Sequence, residues 1–546
     1  MTSENRKDIS DLQQVEEILQ DYKSLGDNYE NPPRVELALI TQSPPDKEGV
    51  GERDIAATTA YQCYSPGITK MRVREDERAR KVADSTLAAG HHTTRLHANY
   101  TFLIEGTSRS SIHDERHQDP FYNTEQQSQR YVEANEGNYI VPSGLTPEQR
   151  KIYKESAEFS NKAYFELLEP LRKGAGIRVR DMYPEKGWVV EGTAKRLEQK
   201  SRKISQEVAR YVLPIAQKTT YYHTLSALQL IRHFRASQMP HVTDEGRFTV
   251  AGMISEIAKV DPSILEELRK PISFDIPKEP INQQYITLHK QEFDDELNGR
   301  NSKLSDTVPN IRQRLADGYR NVNGIPSSVV SDSRVLERLM DPSQNKLLAD
   351  VYDVGMLDPT TAALRQVNLA FKTKLSHTAD SQRQRHRRTP GATPPIETSY
   401  DGKPDYMTPM IIKGNPDLNE RYQQIMDVSY KNVERALDAG IPSSSALLLL
   451  PNAHTLRVEE NGDLFDWIHR WKQRLCYLAQ EEIFFISVEQ VEQVGKLIPE
   501  AKNVLLAPCG IRQHAGVRPR CPEGDRWCGK PVYNWDLKDY SDNRLV

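Results

Sequence analysis

Seven consecutive residues, Gln382-Arg383-Gln384-Arg385-His386-Arg387-Arg388, hold five side chains that can carry positive charge, in a chain of 546 residues with a formal net charge of −4. Packing like charges together in a slightly acidic chain needs a local reason. An isolated run of this kind reads as a solvated basic face, but a second pair, Arg116-His117, precedes Arg385-His386 by 269 residues, again after an apolar segment, Tyr100 to Ile104. Guanidinium forks bind phosphate oxygens two at a time, so clustered arginine is the chemistry expected for a phosphorylated small molecule. Arg210 lies in an apolar run from Val208 to Ile215. A buried arginine there needs an anion, either a substrate phosphate or a structural carboxylate. A different chemistry is offered by Cys509, Cys521 and Cys528 with His514. Three thiolates and an imidazole suit a tetrahedral structural zinc site, with plain free thiols as the alternative.

The elements that must position these groups recur in two copies. Thr146-Pro147-Glu148-Gln149 reads as a capping box with Pro at the first helical position, and Asn415-Pro416-Asp417-Leu418 repeats it at the same offset of 269. Leu213-Pro214, with Thr219 beyond it, matches Leu450-Pro451, with Thr455 beyond it, the Leu-Pro pairs lying at an offset of 237. The drop from 269 to 237 places an insertion in the first copy, within Arg178 to Gln206. Shared offsets at unrelated landmarks indicate a tandem repeat. Residues 8 to 24 have helical apolar spacing, Pro32-Pro33 breaks that helix, Val35 to Ile40 alternates like a strand, and Gly90 reads as a helix stop. Thr389 to Pro409 reads as a Pro-rich loop. Trp467, Ile468, Trp471, Leu475 and Leu478 form an apolar stripe, and Arg474, Gln480 and Glu482 are expected on the polar face of the same helix.

The pattern resembles the flavin-dependent thymidylate synthases, duplicated in one chain. The first half carries Gly90-His91-His92-Thr93, Ser128-Gln129-Arg130-Tyr131 and Ala209-Arg210 before its Leu-Pro; the second carries Gln382, Arg385-His386-Arg387, Asn461, and Arg474 with Ala479-Gln480-Glu481-Glu482. Each half departs from the family pattern where the other keeps it. Gln118 interrupts the first triplet, Met356 stands where the second Gly-His-x-Thr should have its His, and Leu447 replaces the Arg before the second Leu-Pro. The resemblance implies reductive methylation of dUMP at C5, with methylenetetrahydrofolate giving the carbon and FAD carrying electrons from NADPH. It implies catalytic roles for Arg385, Gln382 and Arg474. Flavin contacts fall on His91, Thr93, Arg385, His386, Arg387 and Asn461. Substrate contacts fall on Ser128, Gln129, Arg130, Arg210, Gln382, Arg474 and Gln480. Arg116 and His117 are expected to be dispensable.

The expected fold is α+β, two tandem repeats each with a sheet and long helices: an N-terminal helix over residues 1 to 30, repeats over 31 to 270 and 271 to 505, and a Cys-, Gly- and Pro-rich tail over 506 to 546. Because the retained motifs are complementary, the active site is expected to be composite between the repeats, and a homodimer of the whole chain to stand in for the family's tetramer. The rival readings are a flavin-free or inactive scaffold derived from the family, and methylation of another uridine nucleotide. A hydrophobic content of 37% and a mean hydropathy of −0.69 describe a polar chain, and no stretch of 18 apolar residues occurs. A cytoplasmic protein with no membrane partner is expected. A pI near 6.4 argues against nucleic-acid binding by bulk charge.

Overall fold

The computed structural model describes residues 3–41, 51–62, 77–113, 122–182, 191–239, 241–269, 272 and 281–545. Arg116 and His117 lie outside them. Eight strands form two antiparallel sheets of four. The first contains β1 (Arg34–Ile40), β2 (Asn99–Ser108), β3 (Tyr122–Gln126) and β4 (Lys218–Ser226), in the order β1-β2-β4-β3. The second contains β5 (Ser302–Thr307), β6 (Asn368–Ser376), β7 (Gly391–Ala392) and β8 (Thr455–Asp463), in the order β5-β6-β8-β7. The architecture is α+β in two tandem repeats, as expected. Alternation drives the central strands: Tyr100, Phe102 and Ile104 of β2, and Leu369, Phe371 and Leu375 of β6, are buried on one face.

Each repeat turns from its central strand into a helix with the same device. Ser108 ends β2 and Ser376 ends β6, and each side chain accepts the backbone N–H three residues on. Each serine also donates twice to one carboxylate of a later helix. Ser108 N and Oγ meet Glu245 at 2.6 and 2.7 Å, and Ser376 N and Oγ meet Glu482, both at 2.6 Å. The capping box at Thr146 forms in both directions, with Gln149, and Asn415 caps its helix through Leu418 N. The insertion appears where the offset changes. The helix Pro147–Met182 has 36 residues against 23 in Pro416–Asp438, and the 19-residue helix Glu191–Ala209 stands where the second repeat has only Ser443–Ala446.

The repeats join across a local two-fold. Ile215 N donates to Leu450 O (2.9 Å) and Asn452 N to Leu213 O (2.8 Å); Ala216 N donates to Leu448 O (2.8 Å) and Ala453 N to Tyr211 O (2.9 Å). Each pair maps onto the other at the offset of 237, the relation expected of an isologous dimer contact. Around it the apolar cores are shared. Tyr164, Leu167 and Leu171 of the first repeat are buried with Tyr422, Ile425 and Met426 of the second. Each such side chain contributes about 1.5–3 kcal/mol when fully buried, which makes this contact a core and fixes the two halves relative to each other.

Two local expectations are corrected. The helix Leu464–Arg474 stops, and a new one runs from Glu481 to Leu497, so Arg474 and Gln480 do not share a helix. Gln480 instead caps the second helix, its side chain accepting Ile483 N. The Pro-rich stretch expected as a loop contributes β7, which pairs with β8 through Gly391 and Ala392. Among the described residues no helix is long and apolar enough to cross a membrane.

Candidate functional site

A cleft opens between the repeats where the segment Leu475–Gln480 faces Arg130 and Tyr131. One lobe, of about 430 Å³, is lined by Arg130, Arg474, Lys472, His469 and Arg512 together with the carboxylates Asp350, Asp353 and Glu523; the other, of about 550 Å³, by Tyr211, Gln480, Glu481, Lys203, Trp527 and Arg544. Arg130, Tyr131, Leu478, Ala479 and Arg526 line both.

Arg474 lines this surface and forms no ion pair among the described residues. Its Nε donates to His386 Nε2 (2.8 Å) and its Nη2 to the Gln382 carbonyl (3.0 Å). Both acceptors are neutral: burial, then Arg474 and Arg470, hold His386 well below the usual histidine range. Burial and the neighbouring charges of Arg470, Arg385 and Arg130 push the Arg474 guanidinium down to about 9. A half-buried cation held by neutral acceptors among other cations is a site that gains by taking an anion. Arg130 reaches the same place from the first repeat, donating Nη2 to Leu478 O (2.8 Å) while Nε pairs with Glu207. That pairing outweighs burial and raises Arg130 above its ordinary value.

A hydrogen-bond chain then crosses between repeats. Gln382 Nε2 donates to Gln480 Oε1 (3.4 Å), Gln480 Nε2 donates to the Tyr211 hydroxyl, and Tyr211 donates to Glu482. Glu482 is raised by its burial, which its bonds to Ser376 and Tyr211 oppose. Arg210, next in sequence to Tyr211, is buried; its Nε donates to Glu207 O (3.2 Å), and it makes no carboxylate hydrogen bond among the described residues. Burial lowers its affinity for its proton. Arg210 Nη2, a donor, and Gln382 Oε1, an acceptor, are both buried without a partner. Arg109 adds a further buried guanidinium, pushed down to about 9 by burial and by Arg210.

The Arg-His-Arg triplet packs on the first repeat. The Arg387 guanidinium lies 5.1 Å from the Tyr122 ring, Tyr122 donates to Gln384 O (3.3 Å), and Gln384 Nε2 donates to His113 O (3.2 Å). Arg385 is exposed and forms no ion pair among the described residues, whereas Arg383 and Arg388 are bound to Asp380 and Asp466. Ser128 Oγ accepts Arg130 N (3.2 Å), and both polar atoms of the Gln129 side chain are buried without partners. The structure thus gathers Arg130, Arg210, Gln382, Arg474 and Gln480, with Ser128 and Gln129 adjoining. His91 and Thr93 are exposed at the turn Thr93–Leu96, which packs on the helices Glu52–Gln62 and Ala227–Arg235, and Asn461 is exposed on β8; among the described residues no hydrogen bond joins these three to the cluster.

The zinc expectation is not supported. Among the described residues no three His, Cys, Asp or Glu side chains are gathered as a metal would need. His514 is exposed, while Cys509 and Cys528 pack on the second repeat's core. Burial, with neighbouring cysteines, pushes the Cys509 thiol up to about 12, and burial raises Cys528.

Sequence reasoning missed Tyr211 and Arg544. The first is joined to Gln480 from 269 residues away, and the second donates to Ala479 O (2.6 Å). Neither belongs to a local motif. The two-fold mates of the cluster differ from it in chemistry. At the offset of 237, Arg210 corresponds to Leu447, Arg474 to Ser237 and Gln480 to Thr243, so the mate positions carry no cation.

A family model described as "Thymidylate synthase complementing protein" matches residues 48–263 and 326–500. The flavin-dependent thymidylate synthase of Clostridium tetani (strain Massachusetts / E88) is 32% identical over 238 residues, 42% of this chain and 86% of that protein. The one from Mycobacterium avium (strain 104) is 32% identical over 255 residues, 43% of this chain and 90% of that protein. Among solved structures, a UMP/dUMP methylase, PolB, from Streptomyces cacaoi bound with 5-Br dUMP matches with 17% identity and a TM-score of 0.30, over 43% of this chain and 93% of that one. The two matched segments hold three of the four strands of each sheet, β2, β3 and β4 and then β6, β7 and β8, together with Arg130 and Arg474 from either side of the cleft, and the chain belongs to the thymidylate synthase complementing protein family, with two family segments in one polypeptide.

Proposed function

We propose that the chain is an FAD-dependent enzyme that reductively methylates dUMP to dTMP, using methylenetetrahydrofolate and NADPH, at a site composed from both repeats. The observation that carries this reading is Arg474: a guanidinium held by His386 and Gln382 carbonyl without a carboxylate, facing Arg130 of the other repeat. Arg130 and Arg474, with Ser128 beside them, take the nucleotide phosphate. The unpartnered Arg210 donor and Gln382 acceptor suit a uracil edge, which offers one carbonyl acceptor and one N–H donor. Arg210, with Arg109 behind it, stabilises negative charge developing on the ring, and buried cations do so without reorganising. Gln480, fixed by Tyr211, orients Gln382.

The donor set also fits a flavin dinucleotide. Arg385 is exposed and free of carboxylates, and Arg387 is steadied over Tyr122, so both can meet a pyrophosphate from the second repeat. Bound there, the flavin would supply the electrons of the methylation. His91, Thr93, His386 and Asn461 are the further flavin contacts the family pattern assigns. Two chains are proposed to associate as a homodimer equivalent to the family's tetramer.

The test is to purify the protein, add FAD, follow the flavin absorbance band, and assay conversion of dUMP to dTMP with methylenetetrahydrofolate and NADPH. Flavin uptake with turnover is expected. A protein that acquires no flavin and binds no dUMP would end the enzyme reading.

A further inference from the structure

The segment Leu475–Gln480 begins directly after the site's Arg474 and ends on Gln480, yet it has no helix of its own to hold it. Its own backbone supplies one bond, Ala479 N to Cys476 O (2.8 Å). Two guanidiniums from outside the segment grip adjacent carbonyls of it. Arg130 Nη2 holds Leu478 O at 2.8 Å, and Arg544 Nη2 holds Ala479 O at 2.6 Å.

Arg544 is built in. It is buried, with its guanidinium 4.3 Å from the Phe484 ring and 5.5 Å from the Tyr477 ring. Tyr477 in turn donates to Tyr540 O (2.6 Å), and the hydroxyl of the fully buried Tyr540 accepts Ala507 N (3.2 Å). The next residue, Leu545, offers its carbonyl to Arg178 Nη1 (3.0 Å) of the long first-repeat helix Pro147–Met182. The stretch around Arg544 therefore touches both repeats. It also lies beyond residue 500, where the family match ends.

Resting on the reading of the cleft as a nucleotide site, we propose that Arg544 is a positioning residue for it. By fixing the Ala479 carbonyl, Arg544 sets the path of the chain into Gln480 and so the alignment of Gln480 with Gln382 and of Arg474 with the substrate. Arg544 stands in the wall of the 550 Å³ lobe, and its assigned role runs through the Ala479 carbonyl. A charged donor to a buried carbonyl is among the stronger hydrogen bonds, and its loss from a site it orders is expected to weaken dUMP binding about tenfold.

The experiment compares full-length wild type, Arg544→Ala and Arg544→Lys by FAD content, dUMP Kd, and kcat and KM. For Arg544→Ala the expected result is unchanged flavin content, a KM and Kd for dUMP about tenfold higher, and kcat reduced far less. Arg544→Lys, which keeps a charge and a donor but not the planar stack, is expected to fall between the two. A wild-type Kd in Arg544→Ala would overturn the proposal; if Arg544→Ala does not fold, a wild-type Kd in Arg544→Lys overturns it. Absence of dUMP binding in the wild type would strike at the nucleotide reading itself, a separate outcome.

Discussion

Replacing Arg474 with glutamine separates affinity from stability. In the unliganded protein the change removes two hydrogen bonds, to His386 Nε2 at 2.8 Å and to the Gln382 carbonyl at 3.0 Å, which together are worth about 1–3 kcal/mol. It also removes a cation from the company of Arg470, Arg385 and Arg130, whose repulsion and burial lower the Arg474 proton affinity. The two effects oppose each other. Arg474→Gln is therefore expected to change unliganded stability by no more than about 1 kcal/mol, since glutamine can still donate one hydrogen bond. With dUMP the relief works the other way, because the cluster has lost a charge that the phosphate would meet. Loss of a charge-assisted contact of about 1.5–3 kcal/mol raises Kd by roughly 10- to 150-fold. Thermal melts with and without dUMP measure both: a nearly unchanged melt alone, and loss of the dUMP-induced upward shift. A variant that melts far earlier without ligand while binding dUMP normally would refute the reasoning, since Arg474 would then be a structural strut.

Tyr211→Phe removes the hydroxyl between Gln480 and Glu482; leaving two buried polar groups short of a partner is expected to cost about 1–3 kcal/mol of stability by denaturant unfolding and to raise the KM for dUMP. Burial pushes Glu481 up to about 7 from an unfolded value of 4.5, so the folded state holds the extra proton and stability falls as pH rises between those values; Glu481→Gln is expected to flatten that slope in urea midpoints measured from pH 5 to 8. His386 stays neutral because its buried, cationic surroundings hold it well below the usual range, so dUMP affinity is expected to show no inflection from this group between about pH 6 and 8. Leu447→Arg, at the two-fold mate of Arg210, is expected not to create a second dUMP site, because Ser237 and Thr243 still stand in for Arg474 and Gln480; calorimetric stoichiometry checks this.

Much of the architecture was legible because the chain states it twice. The capping residues Thr146 and Asn415 and the pairs at Pro214 and Pro451 are local signals, and their offsets alone revealed both the repeat and its insertion. The complementary motifs named side chains from each half; among these Arg474 holds the Gln382 carbonyl, Gln382 bonds Gln480, and Arg130 of the first half reaches Leu478 beside them. What failed was reading continuity from periodicity. The stripe from Trp467 to Leu478 keeps a helical spacing, yet Gln480 followed by Glu481 and Glu482 is a helix start, with a capping side chain and acidic residues in the first turn. Tyr211 and Arg544 were invisible because their contacts are defined only once segments far apart in sequence have packed. Spacing in sequence says nothing of burial, so the cysteine pattern could not show that Cys509 and Cys528 pack against the core.

The central claim is that one site is assembled within a single chain, Arg130 from the first repeat meeting Leu478 and Arg474 of the second. Coexpressing Arg130→Ala chains and Arg474→Gln chains under separate tags, purifying on both tags in turn, and titrating dUMP tests it most directly. Every chain then carries a lesion in its own cluster, so the account predicts dUMP binding no better than that of the two single variants. Recovery of wild-type affinity in a substantial fraction of sites would mean that the two arginines meet between chains, and would contradict it.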